Sequence, residues 1–208
     1  MKRLKLQNGL IAIGANKGIG KTKFSILLAN KLAKSEKVLF LDWTNYYDNL
    51  SNIIEKSGFN FNSNLDIETS VNYFNVSSLL KIINLIDTHN YQTIFVDDLD
   101  AYINYSYANF YVDRDEVIKS LKFLVDKFNV RIVFSLCLHS EFDEIPPTLR
   151  DFAWSRLIVN ECSQVIGLKR TFCYDNDNFE DIEVYELKNE TNKMINYKAI
   201  LKRQYRNE

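Results

Sequence analysis

The chain has 208 residues, of which 46% are hydrophobic and 25% charged, and its formal net charge is −1. These values fit one large α/β domain with a substantial core, and they exclude a disordered chain or a surface that grips nucleic acid throughout. With 2 prolines and 6 glycines, no flexible linker divides residues 1–208, which read as a single domain.

The three cysteines, Cys137, Cys162 and Cys173, lack metal-ligand spacing, and an odd number of them suits a reduced compartment. Met1-Lys2-Arg3-Leu4-Lys5 is basic, but the apolar run behind it is too short for a signal sequence. No apolar run reaches the roughly 18 residues that cross a bilayer. The expectation is a soluble, cytoplasmic protein without a membrane partner.

The first predicted strand, Leu10-Ile11-Ala12-Ile13, runs into Gly14-Ala15-Asn16-Lys17-Gly18-Ile19-Gly20-Lys21-Thr22-Lys23, and a helical pattern follows. Strand, glycine-rich turn and helix is the order of a phosphate-binding loop. Glycines let successive N–H groups curl around an anion, and the helix adds its positive end. Lys21 would reach the β/γ-phosphates of a nucleoside triphosphate, and the Thr22 hydroxyl would hold Mg²⁺. The usual pattern opens on glycine where Ala15 stands, so Gly14 is expected to take the turn.

Helical spacing continues from Phe24 to about Lys34, and Val38-Leu39-Phe40-Leu41 reads as a buried strand ending at Asp42. Residues 46–58 suit a short helix closed by Gly58. The polar, Asn-rich stretch from Asn60 to Asn75 suggests a loop with a strand at Val71–Phe74. A helix over Leu79–Ile86 leads to the strand Thr93-Ile94-Phe95-Val96.

Beyond a Tyr- and Asn-rich stretch at 101–112 come a helix over Val117–Phe128 and the strand Arg131–Phe134. A helix from Pro146-Pro147 to about Asn160 precedes a strand at Val165–Leu168. Two final strands, Ile182–Leu187 and Ile195–Leu201, form an antiparallel hairpin. Alternating strands and helices predict a mostly parallel sheet covered on both faces.

Asp97 and Asp98 close the run Thr93–Val96. A phosphate loop needs a carboxylate at the tip of a neighbouring strand to orient water on Mg²⁺. Asp97 is the candidate for that role and Asp98 for polarising the attacking water, with Asp42 as a third acidic candidate. The plain alternative is that carboxylates end strands because loops are wet.

Several segments in order resemble the RecA-like motor domain of DnaB-family replicative helicases. They are the loop with Ala15 first and Gly-Lys-Thr last, the stretch Phe24–Leu39, and Ile94-Phe95-Val96-Asp97 with Leu99. Pro147-Thr148-Leu149-Arg150-Asp151, Ser155, Ile158 and Val165–Arg170 are similar to the helix and strand behind that family's DNA-binding loop. Glu186-Leu187-Lys188-Asn189 is similar to its terminal motif. The resemblance implies a RecA-like P-loop NTPase fold, ATP and Mg²⁺ as cofactors, and Lys188 as a group acting on a neighbouring subunit's nucleotide.

The departures concern turnover. The family's glutamate base falls at Thr44, its glutamine at Leu136 and its arginine finger at Glu190, an inverted charge that opposes stabilisation of the γ-phosphate. The loop Glu141-Phe142-Asp143-Glu144, beside His139, is short and acidic where the family's is longer and basic, which disfavours DNA.

Three readings follow. One is an ATPase of the RecA/DnaB-like class, with weak or partner-dependent hydrolysis, a homo-oligomeric ring or dimer, and a role linked to DNA replication or mobile-element DNA. The second is a nucleotide-gated adaptor acting on a protein partner. The third, a ParA/MinD-like partitioning ATPase, rests on Lys17–Thr22 and Val38–Asp42, but that family's extra lysine would stand at Asn16. The aromatic set Tyr102, Tyr105, Tyr107, Phe110 and Tyr111 suits packing better than stacking on single-stranded nucleic acid. Lys198, Lys202, Arg203 and Arg206 form a basic tail.

Overall fold

The computed structural model describes residues 4–42, 47–56, 58, 60–69, 76–100, 114–138, 145–152, 156–170, 182–189 and 195–197. The expected strand at Val71–Phe74, the Tyr-rich segment, the acidic loop with His139, Thr44, Cys173, Glu190 and the basic tail lie outside them.

Every residue of β1 (Leu10–Ala15) is buried. A strand buried on both faces belongs inside a parallel sheet, and β1 pairs in parallel with β5 (Arg131–Cys137) and β6 (Gln164–Arg170). The other strands are β2 (Val38–Leu41), β3 (Leu65–Glu68), β4 (Thr93–Val96), β7 (Ile182–Lys188) and β8 (Ile195–Tyr197). Their order is β3-β2-β4-β5-β1-β6-β7-β8. The six strands from β3 to β6 run parallel, and β7 and β8 complete an antiparallel edge.

Alternate residues of each strand point to opposite faces, which gives two cores. Ile11, Ile13, Phe40, Phe95 and Val133 face α1 (Lys21–Leu32) and α2 (Tyr47–Lys56), meeting Phe24, Ile26, Ala29, Leu50 and Ile54. Leu10, Ala12, Leu39, Val96, Ile132 and Phe134 face α3 (Val76–His89), α4 (Arg114–Phe128) and α5 (Arg156–Glu161). Between β2 and β4 the rings of Phe40 and Phe95 stack with centroids 5.9 Å apart.

Two elements differ from the sequence expectation. Among the described residues of the Asn-rich stretch, Leu65–Glu68 form a strand that the sequence reading did not place, with Leu65 its one buried residue. An edge strand covered on one side leaves a weak alternating signal, and here it is drawn in by pairing with β2, Leu65 against Val38. The helix expected after Pro147 opens instead as a 3-10 turn, Leu149–Phe152, ahead of α5. Asp151 Oδ2 accepts from both the Thr148 N–H (2.6 Å) and its hydroxyl (3.0 Å), which fixes the start of that turn.

At the amino ends of the strands Arg131 acts as a clasp. Its Nε donates to the Gln7 carbonyl (2.8 Å), and its guanidinium donates to Glu36 Oε1 (2.9 Å), Thr93 Oγ1 (2.9 Å) and Asn8 Oδ1 (3.2 Å). The sheet's opposite, carboxyl-terminal end is where β1 delivers the glycine-rich loop.

Candidate functional site

The loop leaves β1 at Ala15 and re-enters regular structure at Lys21. Gly18 (φ 84°) and Gly20 (φ 109°) hold left-handed conformations that a side chain would strain. Gly14 does not take the turn as the sequence suggested. It sits inside β1, opposite Leu136 and Gly167. A Cβ there would lie 2.6 Å from the Phe152 ring and 2.7 Å from Leu138. Gly14 is therefore required for packing, and Gly18 and Gly20 make the bend.

Gly20 at the start of α1 has no side chain to cap it, and the first turn holds no acidic residue. The first N–H groups of a helix lack intrahelical partners and carry partial positive charge, so this end suits an anion. Lys21 folds back over the loop, its Nζ donating to the Ala15 carbonyl at 3.3 Å. The Asn16 carbonyl accepts from the Ile19 N–H at 3.3 Å, while Lys17 is exposed and Lys23 half-buried.

Asp97 stands at the tip of β4, buried, and receives two hydroxyls. Thr22 Oγ1 donates to its Oδ2 at 2.6 Å, and Ser135 Oγ donates to its Oδ1 at 2.7 Å. Burial pushes the Asp97 carboxyl up from 3.8 to about 6. The hydrogen bonds from Thr22 and Ser135 pull it down, and the neighbouring charges of Asp98 and Asp42 push it up.

Asp98 follows with φ 51°, unusual for a non-glycine residue, and its N–H donates to Ser135 Oγ at 2.8 Å. Asp42, buried at the tip of β2, donates its N–H to the Glu68 carbonyl at 3.0 Å. The sheet thus gathers Thr22, Asp97, Asp98 and Asp42 at one end.

A hydroxyl and a carboxylate in contact are hard oxygen donors of the kind Mg²⁺ takes, and a desolvated carboxylate gains most from a cation. Among the described residues no group of three or more His, Cys, Asp or Glu is arranged to hold a metal. Thr22 and Asp97 offer two oxygens that would hold a cation.

Two placements were not legible in the sequence. Because Gly14 is level with Gly167, the last residues of β6 run past the end of β1 and bring Lys169 and Arg170 to the level of the loop. Arg170 Nε is buried without a hydrogen-bond partner among the described residues. Ile182, paired with Arg170, packs on the loop, since a Cβ on Gly20 would lie 3.2 Å from Ile182 Cδ1. The second is Ser135, which carries no motif of its own.

Two other positions lie apart. Leu136 is fully buried in the core beside α4, so its side chain points away from the loop. Lys188 pairs with Val165 at the far end of β6, and its Nζ donates to the Val159 (2.7 Å) and Asn160 (3.4 Å) carbonyls of α5.

No known protein-family profile matches the chain, and no curated protein matches it. Solved structures do. The ATPase domain of a DnaB-family helicase aligns with 91% of this chain and 80% of its own at 15% identity, with a TM-score of 0.67. A KaiC-like protein from the hyperthermophilic archaeon Pyrococcus horikoshii aligns over 91% and 89% at 17% identity, TM-score 0.63. A DnaB-like replicative helicase, solved to examine its interactions with primase, gives a TM-score of 0.66 at 15% identity. This chain spans about half of that helicase (55%). Likeness at such identity is one of fold, and the chain has the RecA-like α/β fold of DnaB-family helicase ATPase domains and KaiC-like ATPases.

Proposed function

We propose that this chain binds ATP with Mg²⁺ at the Gly14–Lys23 loop and hydrolyses it slowly unless a partner completes the site. The contact between Thr22 and Asp97 carries the reading, because it joins the helix behind the loop to an acidic strand tip with two oxygens placed for one cation. The N–H groups at the start of α1 would hold the phosphates. Lys21 moves from the Ala15 carbonyl to the β/γ-phosphates, and Asp98 or Asp42 polarises the attacking water. Thr22 and Asp97 would hold the cation, which when bound would supply positive charge against the phosphate oxygens.

Slow turnover is supported by Leu136, whose burial leaves no polar group where the DnaB-like pattern places glutamine. The same observation favours the second reading, a nucleotide-gated adaptor. By analogy with the DnaB-like helicase, subunits assemble into a ring or dimer, and Lys188 serves a neighbour's nucleotide; it lies at the opposite end of the sheet from its own loop. DNA replication or mobile-element DNA is the proposed setting.

The test is binding of a fluorescent ATP analogue and steady-state hydrolysis with Mg²⁺, with and without single-stranded DNA, on wild type and Lys21→Ala. Binding lost in Lys21→Ala supports the site. Turnover stimulated by DNA identifies a motor, and binding with background turnover identifies an adaptor. Equal binding by wild type and Lys21→Ala overturns the reading.

A further inference from the structure

We infer that Ser135 is a positioning residue for the cation site, aiming Asp97 at Thr22; the inference rests on the nucleotide reading above. Its hydroxyl makes two contacts at once. It donates to Asp97 Oδ1 at 2.7 Å and accepts the Asp98 N–H at 2.8 Å. Ser135 is 1% exposed and Asp97 3%, so water does not replace either bond.

The geometry explains why a hydroxyl is needed here. Val96 is level with Phe134, which sets Ser135 beside Asp97 across the β4–β5 ladder. A carboxylate with one oxygen tied to Ser135 presents the other in one direction, and that oxygen meets Thr22 at 2.6 Å. Without the tie, the side chain is free to turn about its χ angles, and a buried acceptor is left unsatisfied. The second contact holds Asp98 at φ 51°, where a non-glycine residue stays only if its surroundings fix it. One hydroxyl thus sets both the direction of the metal carboxylate and the turn that carries the candidate water-polarising residue.

The chemistry asks for one donor and one acceptor within a small volume. Alanine supplies neither, cysteine supplies a longer and weaker donor, and threonine keeps the hydroxyl. Ser135 touches neither nucleotide nor cation in this reading, so its effect passes through Asp97.

Two measurements test it on wild type, Ser135→Ala, Ser135→Cys and Ser135→Thr, each first shown to melt cooperatively. The first titrates Mg²⁺ against binding of the fluorescent ATP analogue, with an EDTA baseline. Ser135→Ala and Ser135→Cys should need roughly tenfold more Mg²⁺ while keeping the EDTA baseline, and Ser135→Thr should return toward wild type. An unchanged Mg²⁺ requirement in Ser135→Ala, or a Ser135→Thr defect equal to that of alanine, overturns the proposal. The second is a crystal structure of nucleotide-free Ser135→Ala or Ser135→Cys. Asp97 should turn away so that the Thr22 contact opens, and an undisturbed contact overturns the proposal. If wild type binds no nucleotide, the ATP reading fails, and the second measurement still decides the role of Ser135.

Discussion

Thr22 Oγ1 lies 2.6 Å from Asp97 Oδ2, although 75 residues separate the two in the chain. The contact couples the first turn of α1 to the tip of β4, and it forms in a buried place where a carboxylate is costly. Charge that a site is built to receive later is a stability deficit beforehand.

That deficit has a sign that can be measured. The Asp97 carboxyl is raised from 3.8 to about 6, so folding takes up a proton between those values. Its stabilising contribution is fully present below about pH 4 and is lost as pH rises through about 6, a change of ~3 kcal/mol at most. Asp97→Asn should raise the melting temperature of the nucleotide-free protein at pH 8 and leave it near wild type at pH 4. The same variant should lose Mg²⁺-dependent nucleotide binding. Calorimetry at the two pH values decides, and a variant less stable than wild type at both refutes the argument.

Restoring a glutamine where the DnaB-like pattern has one should not restore turnover. Leu136 has no exposed surface and packs in the core beneath α4. Leu136→Gln buries an amide without arranged partners, at about 2 kcal/mol or more. Chemical denaturation should show the loss, and an ATPase assay should show no gain.

Gly14→Ala should destabilise the fold by about 1–3 kcal/mol through overpacking against Phe152 and Leu138. Gly18→Ala meets nothing within 4 Å, so its effect comes from the left-handed backbone and amounts to about 1 kcal/mol. Urea unfolding of the two variants separates packing from strain.

The Arg131 clasp makes a contrasting case. Arg131→Ala removes the guanidinium from Glu36 and from the Thr93 hydroxyl at the amino ends of the strands, leaving Glu36 paired with the Thr93 hydroxyl (2.9 Å) and without its cation. It should cost about 2 kcal/mol. The clasp is at the far end of the sheet from the loop, so the affinity of the remaining folded protein for nucleotide should match wild type in a titration at low temperature.

The sequence revealed what depends on local pattern. The apolar run Leu10–Ile13, Gly18 and Gly20 of the loop, and the carboxylates ending apolar runs all leave short-range signatures, whereas the burial of Gly14 and Ala15 within β1 did not show. What depends on register was hidden. Ser135 reads as one polar residue in an apolar strand, and only pairing of β4 with β5 sets it beside Asp97. Arg170 reaches the level of the loop because β6 outruns β1. β3 escaped because an edge strand at Leu65–Glu68 shows a partner on one side only.

The strand order also gives the proposed nucleotide a compass. Asp42, Asp97 and Asp98 end strands on one side of β1, while Lys169 and Arg170 end β6 on the other. An elongated anion laid across the loop would meet carboxylates at one end and Arg170 at the other, Lys169 lying on the opposite face of the sheet. In the proposed reading its metal-bearing phosphates would lie toward β4 and the rest of the molecule toward β6. The reversed pose would set bare phosphate against the carboxylates and leave the cation beside the Arg170 guanidinium.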